Sequence, residues 1–333
     1  MEHAPQAPGR TPRQRVPGAG DPPPEASEAP AREADDLDTL LDQVPQLAGR
    51  PRTVTELPGG LTNRNFKVTT PDGAFVARRW SRGDFLAINR DHEYRNSLAA
   101  AQAGVGAPVI GYRPADGLLV LGYIDGRTFA NADVQAPENI PRIAAACRRL
   151  HSGPRFASDF DMFRIQGRYA AVTAEQGFRV PDGYDRLMPQ LEAARRALAV
   201  RAEPTVPCNN DLLAANFIDD GSRIWLIDYE YSGNNDPCFE LGNIAGECHL
   251  PADALAGLVT AYYGRPRRSR IARAMLLADI GKYGWTLWGA IQAATSPLDF
   301  DFWSWAMERF EGAAAGLTSS TFRQLLTDVQ RDD

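Results

Sequence analysis

The sequence predicts an α+β protein of two lobes, a small β-rich one followed by a larger helical one that carries an embedded β-hairpin. Three observations lead there. Alternating apolar runs around Gly- and Pro-containing turns fill the stretch from about position 50 to 125, helical periodicity prevails beyond about Asn131, and NFIDDGSRIWLIDYEY interrupts the helices with strand-like alternation around DDG. With 333 residues and 44% hydrophobic content, the chain exceeds what one core usually organises, so two lobes sharing an interface are expected.

In chain order, residues 1–34 are rich in Pro, Gly, Ala, Glu and Arg and nearly devoid of large apolar side chains, so they form an expected disordered tail. The N-terminal lobe is assigned to 35–125. It opens with a short helix from Asp36 to Leu47, continues with strands across LPGGLTNRNFKVTTPDGAFVARRW, where PDG marks a hairpin, then a helix from about Ala87 to Ala103 ended by Gly104, and a further strand in GLLVLGYIDG. The helical lobe is assigned to 126–318, with helices over Ile140–His151, Asp185–Arg201, Pro251–Tyr263, Ser269–Ala294 and Asp301–Ala315, and 319–333 is left as a C-terminal tail. No internal repeat is seen.

A formal charge of −6 argues against nucleic acid or an anionic membrane as the main partner and is compatible with a cationic ligand. Cys147, Cys208, Cys238 and Cys248 lack the close pairing of a zinc site or disulfide scaffold and read as free thiols in a reducing cytosol. No apolar signal-peptide core is present, and the best apolar run is broken by Asp279 and Lys282, so a cytoplasmic protein without a membrane span is expected. Oligomeric state has no readable signature.

The chemistry concentrates in CNNDLLAANFIDDGSRIWLIDYEY. A turn near Asp220 and Gly221 folds the second strand back along the first and brings Asp228 toward Asn216 and Asp211. Two carboxylates and an amide converging there fit phosphoryl transfer: Asp211 as the base that positions a hydroxyl, Asn216 and Asp228 as oxygen ligands for Mg2+ against a triphosphate. The order Asp, four residues, Asn, hairpin, Asp resembles the protein-kinase catalytic loop and metal-binding aspartate, with Tyr229 and Glu230 following in place of Phe and Gly.

Other parts of such a site lie upstream. The Gly59–Gly60 turn lets backbone amides approach phosphate, with Thr62 and Asn63 as added donors, although the turn alone would be an ordinary hairpin. In FVARRW, Arg78 stands where a kinase carries its phosphate-binding lysine, Arg79 being a rival, and Glu93 on the next helix is placed to pair with it. The segment Gly122, Tyr123 and Ile124 reads as the hinge between lobes, its backbone facing adenine.

Over about residues 50–315 the chain resembles the choline/ethanolamine kinase family, within the aminoglycoside phosphotransferase-like kinases of protein-kinase-like fold. The resemblance rests on GGLTNRNF, FVARR, HSGP, NDLLAANF, IDYEY with DPCFELGN, and above all WTLWGAIQAATSPLDFDFW. It implies ATP as co-substrate, Mg2+, and a small cationic alcohol as acceptor, choline first and ethanolamine next. Trp285 and Trp288 share a helix face, Trp305 lies on the following helix, and ring faces attract quaternary ammonium. The resemblance assigns the cation pocket to these three with Tyr231 and Glu247, Glu247 supplying a negative charge. Glu240 and Asn243 read as structural, and His151 as a packing histidine. The family's histidine two residues before the catalytic aspartate is Asn209 here; asparagine also donates and accepts hydrogen bonds. Two alternatives stay open: a kinase of another cationic alcohol, such as an aminoglycoside or thiamine, and a catalytically weak, kinase-like binding module.

Overall fold

The computed structural model describes residues 36–58, 63–80, 86 and 88–333. The expected tail over 1–34 and the Gly59, Gly60 and Thr62 turn lie outside the described residues.

The N-terminal lobe is a five-stranded antiparallel sheet ordered β1-β2-β3-β5-β4. Its strands are β1 (Thr53–Leu57), β2 (Arg64–Thr70), β3 (Gly73–Arg79), β4 (Val109–Arg113) and β5 (Leu118–Gly122). β2 and β3 are joined through Pro71 and Asp72, as the PDG signal predicts. The helix expected over 36–47 is realised over 36–41 (α1) and gives way to turns, yet Leu37, Leu41, Val44 and Leu47 all reach a core shared with Val68, Ala77, Leu118 and Val120. β4 was not foreseen: it carries no alternation, being half-buried throughout, and a register shift lies between Val109 and Gly111.

α2 (Arg90–Gln102) begins later than expected, where the Asn89 side chain accepts the His92 amide at 3.0 Å. It ties the lobes together. Its Ala100 belongs to the core of the helical lobe, and Asn96 donates to the Ser232 hydroxyl at 2.9 Å and accepts the Ala157 amide at 2.8 Å.

Beyond the hinge come β6 (Arg127–Thr128), α3 (Asn131–Gln135), α4 (Ile140–His151), α5 (Met162–Gln176), α6 (Met188–Val200), β7 (Val206–Cys208), β8 (Phe217–Asp219), β9 (Ile224–Leu226), β10 (Gly233–Asn235), α7 (Pro237–Glu247), α8 (Ala252–Tyr263), α9 (Arg268–Thr295), α10 (Phe302–Leu317) and α11 (Phe322–Asp328). The 28-residue α9 is the axis, packed by α5, α7, α8 and α10. The helix expected from Asp185 starts at Met188 after a 3-10 turn, and α5 and α7 were not foreseen. Residues 319–333, read as a tail, hold α11, whose Phe322 is buried, as is Val329 just beyond it. All four cysteines are free and buried.

α7 and α9 approach at Gly242, where an added Cβ would collide with the Ala274 carbonyl oxygen and lie 2.9 Å from the Ala278 nitrogen. Both are helix backbone, which cannot step aside. Gly242→Ala is therefore expected to destabilise by about 1–3 kcal/mol, the usual cost of overpacking, and to lower the thermal midpoint followed by circular dichroism; an unchanged midpoint would mean the two helices separate freely.

Candidate active site

The site is built on two short ribbons. β7 pairs with β10, and between them the chain makes the β8–β9 hairpin, closed by Gly221 at φ 88° and by Asp220, whose carboxylate accepts the Ser222 and Arg223 amides and the Trp225 indole N–H. Phe217 lies opposite Leu226, so the next residues outward, Asn216 and Ile227, are neighbours; the Ile227 amide donates to the Asn216 carbonyl at 3.0 Å. Asp228 is thereby delivered beside Asn216, whose side-chain amide donates to the Asp211 carbonyl at 2.7 Å. Asp211, Asn216 and Asp228 line one cleft of about 870 Å3, as the hairpin argument predicts.

Behind this loop stands Glu240, fully buried on α7. Its two carboxylate oxygens accept the amides of Asn209 (2.8 Å) and Asn210 (2.7 Å). Asn210 sits at φ 68° and Asp228 at φ 66°, left-handed conformations that a non-glycine residue holds only when its surroundings impose them. Asn209, in the place of the histidine, donates to the carbonyls of Ile227 (3.0 Å) and Asp228 (2.8 Å) and accepts the Asp211 amide at 3.1 Å. It ties the loop that carries Asp211 to the end of the hairpin's second strand. His151 is a buried packing group, bonded to the Tyr262 hydroxyl at 2.8 Å and lying 3.5 Å from Glu240.

At the N-lobe wall, Arg78 reaches across the lobes. One guanidinium nitrogen donates to Glu93 at 2.8 Å and to Asp228 at 2.7 Å, and its Nε contacts Asn65, its cross-strand neighbour, at 3.3 Å. Arg79, the rival, faces Asp36 instead at 3.4 Å. Burial works against the Arg78 charge, but Asp228, Glu93 and Glu230 outweigh it and hold the guanidinium protonated. Arg90, missed in the sequence although it lies three residues before Glu93 on the same helix, pairs with Glu93 (2.7 Å) and Glu230 (3.1 Å). Asn63, expected at the phosphates, lines the cleft and donates to Glu230 at 2.8 Å. Burial, with the nearby charges of Asp228 and Glu93, pushes Glu230 up to about 7.

At the hinge, Tyr123 and Ile124 line the cleft, but the Tyr123 amide already donates to the Ala74 carbonyl at 3.1 Å and the Gly122 amide to Pro108 at 2.8 Å. Those two N–H groups are not available to a base, contrary to the expectation for the whole segment: the β3–β5 ladder runs on to Tyr123, and Gly122 is tied to the residue before β4.

Trp285, Trp288, Trp305 and Tyr231 come together at the opposite end of the cleft. Trp288 meets Trp305 edge-on at 5.2 Å between centroids, and Tyr231 meets Trp285 at 5.3 Å. The indole N–H groups are spent internally, Trp285 on Asn243 (2.9 Å) and Trp288 on the Tyr231 hydroxyl (2.7 Å). Glu247 also lines the cleft, and its carboxylate is paired: Arg309, missed in the sequence, donates to it at 2.8 Å. Arg309 lies four residues after Trp305 and therefore shares its helix face, which was the available signal.

Five carboxyl groups and two guanidiniums line the cleft among the described residues. Burial, then Glu247, Asp228, Glu230 and Glu240, push the Asp211 carboxyl well above the usual range. A carboxylate so placed takes up a proton readily, as a general base must. The donors contributed by Asp211, Asn216 and Asp228 are hard oxygens, the set that suits Mg2+.

Residues 53–274 match the model of the phosphotransferase enzyme family. The chain is 32% identical to a solved choline/ethanolamine kinase family protein from Mesorhizobium loti, covering 89% of this chain and 99% of that one with a TM-score of 0.79. Among curated proteins it is 27% identical to protein LicA of Haemophilus influenzae over 61% of each chain, and 27% identical to probable choline kinase 3 of Arabidopsis thaliana over 78% of this chain and 84% of that protein. The chain thus spans about 61% of the length of LicA. No helix of the described residues is long and apolar enough to cross a membrane. On these likenesses, carried on a bilobal, protein-kinase-like fold, the chain belongs to the choline/ethanolamine kinase family.

Proposed function

We propose that the protein moves the terminal phosphoryl group of ATP to the hydroxyl of choline, with ethanolamine as the next best acceptor. The observation that carries this reading is the presence, in one cleft, of the Asp211, Asn216 and Asp228 oxygens and a cage of four aromatic rings.

In this reading Asp211 accepts a hydrogen bond from the acceptor hydroxyl and takes its proton as the oxygen attacks the terminal phosphorus. The bond from that phosphorus to the bridging oxygen breaks, and ADP leaves. Asn216 and Asp228 are the residues that would hold Mg2+, which when bound supplies positive charge against the phosphates. Arg78, oriented by Glu93, binds phosphate oxygens, with Asn63 as a further donor to them. Tyr123 and Ile124 flank the base. At the far end, Trp285, Trp288, Trp305 and Tyr231 hold the ammonium group, each well-placed ring contributing about 0.5–2 kcal/mol. Glu247 acts there as part of an ion pair.

Two substitutions divide the roles. Asp211→Asn is expected to lower kcat for choline by about 100-fold or more, in line with loss of a general base, with the melting curve retained; ADP release under coupled assay measures it, and an unaffected rate removes Asp211 from the chemistry. Trp288→Ala should raise KM for choline about tenfold, equivalent to about 1.4 kcal/mol, and change kcat less. Assaying thiamine and an aminoglycoside beside choline and ethanolamine tests the acceptor itself: turnover of either larger alcohol in preference to choline would replace this reading.

A further inference from the structure

Arg309 has no part in the reaction just described, yet it sits in the acceptor end of the cleft as a buried cation. Only 6% of its side chain is exposed, and that of its partner Glu247 only 7%. Its guanidinium carbon stands 4.6 Å from the centre of the Trp305 ring, a second nitrogen lies 3.5 Å from Glu308, and its Nε is buried without a hydrogen-bond acceptor among the described residues. A positive group of the protein itself thus covers one aromatic ring and neutralises the carboxylate of the cage.

Two further polar atoms at this end are occupied too. The Tyr231 oxygen accepts from Trp288, and the Asn243 carbonyl oxygen from Trp285. A primary ammonium entering the cage brings three N–H donors stripped of water, each costly if left unmatched. A quaternary ammonium brings none and needs only ring faces.

We propose that Arg309 is a specificity-determining residue: by pairing with Glu247 and covering one face of Trp305, it leaves a cage that accepts a quaternary ammonium and discriminates against a primary one. This rests on the acceptor end assigned above. Without Arg309, the Glu247 carboxylate would be open to N–H donors, and the preference would move toward primary amines.

The test separates the cage from the chemistry. Dissociation constants for tetramethylammonium and methylammonium, read from tryptophan fluorescence, and KM and kcat for choline and ethanolamine are measured on wild type, Arg309→Met and the double variant Arg309→Met/Glu247→Gln. In Arg309→Met the affinity ratio is expected to shift at least tenfold toward methylammonium, and KM for ethanolamine to fall relative to choline with kcat changing less. Adding Glu247→Gln should abolish the shift, since an amide offers no charge to a primary ammonium. A ratio within twofold of wild type in Arg309→Met, an equal shift in the double variant, or no binding of either ion to wild type overturns the proposal. Should Arg309→Met fail to melt cooperatively, Arg309→Gln, which keeps an N–H on Glu247, carries the same comparison. Ammonium binding with the expected selectivity but no phosphorylation of any alcohol would uphold the role of Arg309 and overturn the proposed function alone.

Discussion

The geometry of the cleft depends on one buried carboxylate. Glu240 is inaccessible to solvent and satisfies two consecutive backbone amides, those of Asn209 and Asn210, that would otherwise be unpaired in the interior. Hydrogen bonds to a charged acceptor are roughly twice as strong as neutral ones, and here two of them oppose the left-handed strain at Asn210. Asp211 follows immediately, so its backbone direction is set by a residue that never enters the cleft. The same α7 helix supplies Glu247 at its other end, and thus fixes the loop and one side of the aromatic end of the cleft with a single rigid element.

Arg78 performs the corresponding task between lobes. It is buried, with Glu93 on one side and Asp228 on the other, so each lobe contributes a carboxylate to the same guanidinium. Breaking a buried pair of this kind costs about 3–5 kcal/mol through the charge left unmatched. The arrangement makes the separation of the lobes a discrete quantity: α2, β3 and the hairpin keep a common register as long as the arginine holds both acids. Arg90 and Glu230 extend the network, which explains why Glu230 can remain buried at all.

Much of this was legible in the sequence where a signal was local. The hairpin was readable because DDG marks its turn and strand pairing has a period of two, which fixes where Asn216 and Asp228 meet. α7 was not, because all eleven of its residues are buried, the polar Glu240, Asn243 and Glu247 included, and Pro237, Gly242 and Gly246 look like loop residues. Only Asp236 before Pro237 gave a start signal, and that aspartate does cap the helix. α5 was obscured differently: its buried face is Met162, Gln166, Tyr169 and Thr173, of which two are polar, so the apolar stripe is interrupted although Asp161 and Gly177 mark its ends. The pairing of Glu247 with Arg309 joins residues 62 positions apart on different helices, and nothing in the spacing alone announces it.

Gly289 lies under the Trp305 ring, where a Cβ would come within 2.8 Å of the indole. That absence of a side chain lets α10 settle on α9 and present its tryptophan to the cleft. Apart from Tyr231, the rings come from these two helices, whereas the oxygen groups of Asp211, Asn216 and Asp228 come from the hairpin. The tryptophan end of the cleft can therefore be reshaped through two late helices while the oxygen groups stay as they are, since the two are encoded in separate stretches of sequence.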